Sequence, residues 1–452
     1  MENHLHKKYG LTTAIAMVVG IVIGSGVFFK AEAVLNATGG NMPIGILAWA
    51  IVGLIMIICS YTFAIMATRY EKINGIVDYA EISLGKGYGY YVGWFMATIY
   101  YPTLTSVLAW VSARFTCVLL GWDIAGGASL AIAGFYLICA YCLNALSPVL
   151  AGKFQVSATV IKLIPLALMA VVGTAIGLTS GMTAQNFSHV VDETVGAGSG
   201  LFASVVSVAF AYEGWIVATS INAELKDSKK NLPRALIIGS FIVVAAYILY
   251  YVGLAGAVTT EALMENGQAG ARLAFTTILG PAGGTLIFVF IIISCLGTLN
   301  GLMLGCTRGI YSLAVRGEGL KPQLFSQVDT CTNMPLCSSI VGLLFCGGWL
   351  LYFFGAQLAD PTWFGPFCFD SSELPIITLY AFYAPIFFTI LVKEKDLPAF
   401  KRFVMPMLAL LGCVFMVAAA LISHTTEVFY YLIIFAVIML ISLFFRKSKK
   451  TL

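Results

Sequence analysis

Apolar stretches of about 20 residues recur along the whole chain, separated by short polar loops. Each is long enough to cross the hydrocarbon core of a bilayer. Twelve are predicted, near 11–36, 43–68, 88–120, 128–147, 155–178, 199–223, 235–258, 283–315, 336–355, 372–392, 403–423 and 427–445. No polar linker or low-complexity segment interrupts the series. The pattern predicts an all-α polytopic membrane protein of about 12 transmembrane helices, with residues 1–452 forming one transmembrane domain.

Composition points the same way. Of the 452 residues 60% are hydrophobic and only 10% charged, with mean hydropathy +0.93. A soluble protein of this length needs roughly 25% charge to cover its surface. Lipid is the solvent that such a chain fits. The first span is too long for the core of a cleavable signal and lacks a small-residue cleavage site before the next loop, so it is expected to stay. The 11 cysteines are scattered. Cys139 and Cys142 form a CxxC within an apolar run, which reads as small packing residues and not as a metal site. No metal or other cofactor is expected, and the net charge of +4 says nothing about nucleic acid.

The distribution of that charge tests the span count. With both termini in the cytoplasm, every lysine and arginine falls on or beside an inner loop except four. The four are Arg272 in an outer loop, Lys30 and Arg114 near outer helix ends, and Lys162 inside a span. Outer loops carry Asp123, Asp192, Glu193, Glu261, Glu265 and Asp360 instead. A multi-pass membrane protein with cytoplasmic termini follows, and the cell (plasma) membrane is the expected location. Tyr88, Tyr90, Tyr91, Trp94, Trp122 and Tyr430 fall near interfaces and are expected to form mostly an aromatic belt.

Two spans carry residues that suit a continuous helix poorly. Span 1 contains Gly24-Ser25-Gly26 at mid-membrane, where each glycine lowers helix stability by about 1 kcal/mol relative to alanine. Close packing of small residues is the plain alternative. Span 6 reads Phe210-Ala211-Tyr212-Glu213-Gly214-Trp215, with an acid that costs about 2.5–3.5 kcal/mol to insert. The first and sixth of twelve spans correspond if spans 1–5 (1–180) and 6–10 (198–393) are inverted repeats, with spans 11–12 and a cytoplasmic tail appended (400–452). Interrupted helices at matching places in such halves point to a transporter site. A half-helix starting after a break offers free N–H groups to a carboxylate, and one ending before a break offers carbonyls to an ammonium. A zwitterionic amino acid needs both.

At these residues the chain resembles the amino acid–polyamine–organocation superfamily, in particular its L-type amino acid transporter branch and bacterial serine/threonine exchangers. The likeness rests on Gly24-Ser25-Gly26-Val27-Phe28, on Lys162-Leu163, and on Phe210 to Trp215. It extends to Glu224 with Leu232-Pro233-Arg234-Ala235 and to Leu299-Asn300-Gly301 with Arg308, covering about spans 1–8. It implies a LeuT-type 5+5 inverted repeat with broken helices 1 and 6, and alternating access. The N–H groups around Ser25 and Gly26 would take the substrate carboxylate, and the carbonyls of Ile23, Phe210 and Ala211 its amino group. Phe210 would be a lid, Glu213 would face the substrate side chain, and Trp215 would lie nearby. Tyr212 and Asn300 are further candidates for coupling or gating. Lys162 would set its ammonium where related carriers hold sodium, bridging spans 1 and 8, which implies sodium-independent transport, usually by obligatory exchange or sometimes with proton coupling if the lysine titrates. The alternative for Lys162 is snorkelling to the interface.

Glu213 stands where many relatives have Gly, Ser or Asp, and an acid there could instead select cationic side chains. That residue does not decide the substrate; the zwitterion-suited breaks and the paired motifs of spans 1 and 6 lead us to expect neutral amino acid exchange, with a cationic amino acid or polyamine carrier using Glu213 as the alternative. Tyr251 stands where relatives often have Asn. The outer loop 121–127 lacks the cysteine by which some relatives bond a heavy-chain subunit, so none is expected. Glu224 and Arg234 read as interface or gate ion pairs. An enzyme is disfavoured, because the four histidines, His4, His6, His189 and His424, lie at ends or loops and neither HExxH nor Gly-x-Ser-x-Gly occurs. A channel lacks a filter sequence here, whereas a substrate sensor would share every motif.

Overall fold

The computed structural model describes residues 10–70 and 75–446, apart from the side chains of 220–224 and 268. Lys7, Lys8, Lys72, Lys447, Lys449, Lys450, His4 and His6, and the side chain of Glu224, lie outside the described residues. Arg234 is exposed.

Among the described residues, eleven helices are long and apolar enough to cross a membrane, and a bent pair, Leu11–Val22 with Gly26–Ala37, supplies a twelfth crossing. Each falls within a few residues of an apolar stretch read from the sequence, except that spans 5, 7 and 8 start earlier, at Pro148, Ser228 and Gly270. In span 8 the extra turns form a separate piece. Gly280 takes φ +75 ahead of Pro281, so the outer segment meets the membrane helix at a kink.

Burial ranks the spans. The apolar windows of spans 3, 6 and 8 are 72%, 78% and 72% buried, against 17% for span 12. Spans 1, 3, 6 and 8 therefore make the centre, and span 12 faces lipid. Close helix approach is bought with small residues between spans 5 and 7, where a Cβ on Gly253 would stand 2.1 Å from the Met169 carbonyl oxygen. Spans 3 and 5 each contain one π-helical turn, Met96–Tyr100 and Met169–Gly173. Such a turn rotates the side chains on either side of it relative to a regular helix.

The belt expectation needs correcting for span 3. Tyr90 and Trp94 are buried. Their polar atoms donate to the Ser442 and Ile438 carbonyls of span 12, so these rings seat that helix instead of facing headgroups. Trp122 is exposed as expected. At the basic-loop end, Arg69 pairs with Glu394 and Asp396, tying the ends of spans 2 and 10. Arg316 pairs with Asp78 and Glu81, tying span 8 to the helix Ile76–Leu84. At the opposite end Lys30 is buried and meets Glu373 at 2.8 Å.

Candidate functional site

Both irregular segments are broken helices. The first half of span 1 ends at Val22, Ile23 turns extended (φ −69, ψ 104), and the second half starts at Gly26, with a 40° bend between them. In span 6 the helix Ala197–Ala211 stops, residues 212–214 form a turn, and a 3-10 helix begins at Trp215.

Glycines allow the two breaks to meet. A Cβ on Gly26 would lie 2.4 Å from the Ala211 Cα, so the backbone of one break rests on that of the other. A Cβ on Gly24 would lie 2.3 Å from the Thr298 hydroxyl of span 8. Gly214 has φ +99, a conformation that glycine adopts at little cost.

Beside the breaks lies a cavity of about 20 Å³ lined by Gly24, Ser25, Gly26, Phe210, Glu213, Gly214 and Thr298, together with Leu104 and Leu108 of span 3 and Leu302 of span 8. That is room for about one water. Admitting anything as large as an amino acid requires the walls to part. The helix that starts at Gly26 has no side-chain cap on its first N–H groups, and Ser25 leaves its buried hydroxyl unpartnered among the described residues. The first N–H groups of a helix have no intrahelical acceptor, so this end suits an anion.

The carbonyls at the end of the first half-helix are largely engaged. Lys162 is fully buried and does not snorkel. Its ammonium donates to the Gly20 carbonyl at 2.6 Å, to that of Ile23 at 2.5 Å, and to the Thr298 hydroxyl at 3.1 Å. Thr298 also donates to the Ile23 carbonyl at 3.3 Å. Both lone pairs of Ile23 are thus in use, and the carbonyl expected to meet a substrate ammonium is held by the protein in this conformation. Tyr247 of span 7 donates to the Val22 carbonyl at 2.8 Å and contacts that of Ala211 at 3.1 Å, so one hydroxyl joins the two breaks.

Glu213 is buried on the cavity wall. One carboxylate oxygen accepts from the Tyr100 hydroxyl at 2.6 Å and from the Gly214 N–H at 3.3 Å. The other has no partner among the described residues. Phe210 ends the helix above the cavity, edge-on to Phe29, with the Lys30 ammonium 5.4 Å from its ring.

Of the expected residues, Ile23, Ala211 and Lys162 adjoin the breaks without lining the cavity, and three more face elsewhere. Trp215 turns into an aromatic cluster with Phe63 and Tyr383, because the left-handed Gly214 redirects the chain just before it. Tyr212 packs behind the break on Trp49 and Tyr247. Asn300 faces the opposite side of span 8, where it donates to the Ala151 carbonyl and to Gln155 and accepts from Asn144. It ties span 8 to spans 4 and 5. Tyr251, which stands where relatives often have Asn, lies against Trp49 and Gly45, one turn beyond Tyr247.

Comparison with known proteins bears on these features. The sequence matches the family model described as amino acid permease over residues 9–444. It is 30% identical to the serine/threonine exchanger SteT of Bacillus subtilis over 431 residues, 94% of this chain and 93% of that protein. It is 26% identical to the human b(0,+)-type amino acid transporter 1 over 448 residues, 95% of this chain and 86% of that one. It is likewise 26% identical to the rabbit large neutral amino acids transporter small subunit 2, over 73% of this chain and 62% of that protein.

Proposed function

The chain belongs to the amino acid permease family, which makes it a membrane transporter and not an enzyme, and from that premise we propose that it exchanges small neutral amino acids by alternating access without sodium. The observation that carries this reading is the pairing of the two breaks. The uncapped N–H groups beside Ser25 and Gly26 suit a carboxylate, and the Phe210 and Ala211 carbonyls, at the end of the half-helix whose backbone Gly26 meets, suit an ammonium once the Tyr247 hydroxyl and backbone N–H groups that now share them give way. The Lys162 ammonium supplies a fixed positive charge between spans 1 and 8, which supports transport without a sodium ion there.

Spans 1–5 and 6–10 act in this reading as inverted repeats whose broken members rock against the rest. Both termini are cytoplasmic in this reading, as the lysine and arginine distribution supports, and the membrane is the plasma membrane, in line with the similarity to amino acid exchangers. The similarity to an exchanger named for serine and threonine favours small substrates. A second reading, transport of cationic amino acids, draws on the free carboxylate oxygen of Glu213 and on the similarity to a b(0,+)-type transporter. No cysteine occurs in loop 121–127, and Cys117 beside it is buried, which supports action without a disulfide-bonded subunit.

Counterflow into proteoliposomes tests the proposal. Preloading with unlabelled serine or alanine should accelerate uptake of the labelled amino acid, equally with and without sodium. Strict sodium dependence, or acceleration by arginine and lysine alone, would overturn it.

A further inference from the structure

We propose that Tyr100 is a positioning residue for substrate selection, holding Glu213 so that one carboxylate oxygen is presented to the cavity as an acceptor for a small substrate side chain that donates a hydrogen bond. This deepens the amino acid exchange reading and rests on it.

Tyr100 is the last residue of the π turn Met96–Tyr100, and is completely buried. Single π turns inside long helices re-aim side chains. Here the outcome is a hydroxyl 2.6 Å from one oxygen of Glu213, an acid 113 residues away on another span. A tyrosine hydroxyl has one proton to donate. Spent on Glu213, it is not available to a substrate, so Tyr100 acts through the acid. With the Gly214 N–H on the same oxygen at 3.3 Å, the carboxylate is pinned from two sides.

The other oxygen is buried and unpartnered among the described residues, yet Glu213 lines the cavity together with Ser25 and Gly26. Buried polar atoms are overwhelmingly hydrogen-bonded, so such an oxygen on a cavity wall marks a place for a donor. Leu104, Leu108 and Leu302 add only apolar side chains to the cavity; of its other polar side chains, Thr298 is already engaged with Lys162 and Ile23, and Ser25 stands at the place expected for the substrate carboxylate. A substrate whose carboxylate rests at Ser25 and Gly26 brings its side chain within the same small space. A hydroxyl there satisfies the acid, whereas a methyl leaves it unpaired. Sites of this kind discriminate strongly against the analogue that lacks the donor.

The test compares inhibition constants of serine and alanine for exchange in proteoliposomes of the wild-type chain, Tyr100→Phe and Glu213→Gln. Wild-type should prefer serine by about tenfold or more, the scale of one hydrogen bond to a charged group. Tyr100→Phe, which keeps the ring packing, should reduce the preference to about twofold while alanine exchange persists, and Glu213→Gln should reduce it likewise. Thermal stabilisation of the purified proteins by serine and by alanine reads the same preference should a variant bind without transporting. An unchanged preference in Tyr100→Phe, a wild-type protein that does not distinguish the two, or a folded Tyr100→Phe that binds neither would overturn the proposal. The first two results, with alanine exchange intact, leave the carrier reading standing, whereas a wild-type protein that exchanges no amino acid removes that reading.

Discussion

Replacing Lys162 by alanine removes three hydrogen bonds at one stroke. The Gly20 and Ile23 carbonyls lose donors at 2.6 and 2.5 Å, and the Thr298 hydroxyl loses one at 3.1 Å. Hydrogen bonds to a charged group contribute about 1.5–3 kcal/mol each, and an acceptor left buried and unsatisfied costs about 1–3 kcal/mol. The gross loss is therefore about 4–9 kcal/mol. Part of it is offset, because the variant no longer buries an ammonium, which itself costs several kcal/mol. A net weakening of about 3 kcal/mol at the break is the expected scale, or about 100-fold in any equilibrium that requires the break to hold its shape, since 1.4 kcal/mol is about tenfold. Lys162→Ala should accordingly lower initial exchange rates about 100-fold at equal protein in the membrane. Lys162→Met, which refills the volume without the charge, should not restore them. Rates in proteoliposomes measure the first effect, and melting of the purified protein separates it from misfolding. Lys162→Ala retaining half of wild-type exchange would refute the reasoning, because three bonds to the span 1 break would then be dispensable.

Other perturbations follow from the same geometry. Gly26→Val should abolish exchange in radioactive uptake assays, because even the first added carbon stands 2.4 Å from the Ala211 backbone and forces the breaks apart. Tyr247→Phe should weaken substrate binding about tenfold in a thermal-shift titration, since it removes the hydroxyl that joins the two breaks at the Val22 and Ala211 carbonyls. His424, between spans 11 and 12, has its pKa raised from 6.5 to about 10 by hydrogen bonds to Glu373 and Glu427. Its stabilisation is complete below pH 6.5 and lost as pH rises through about 10. His424→Gln should therefore melt lower than wild-type at pH 6, with the difference vanishing above pH 10.

Much of this site was legible because lipid makes irregularity expensive. Gly24-Ser25-Gly26 and Glu213-Gly214 stand out in apolar spans, and both proved to be breaks that meet. Lys162 stood out for the same reason, although its three acceptors lie at positions 20, 23 and 298, which no local spacing reveals. The partners were harder to see. Tyr100 and Tyr247 look like any aromatic in a membrane span, and only the packing of distant helices turns their hydroxyls toward Glu213 and the span 1 carbonyls. Lys30 was read as a helix-end residue, because its partner Glu373 is 343 residues away. Trp215 and Asn300 sit in informative motifs but face elsewhere. A left-handed turn redirects the first, and the second lies on the far side of span 8. A π turn such as Met96–Tyr100 left no periodicity signal in a uniformly apolar stretch.

The claim beneath all of this is that substrate sits against the start of the second half of span 1. Ser25, buried on the cavity wall with its hydroxyl unpartnered, reports on that place. Ser25→Cys, treated with a small thiol reagent in proteoliposomes and compared with the parent chain, tests it directly. Labelling should block exchange in the variant and leave the parent active, and transported amino acid should slow the labelling in proportion to its occupancy. Labelling at one rate with and without substrate would contradict the account.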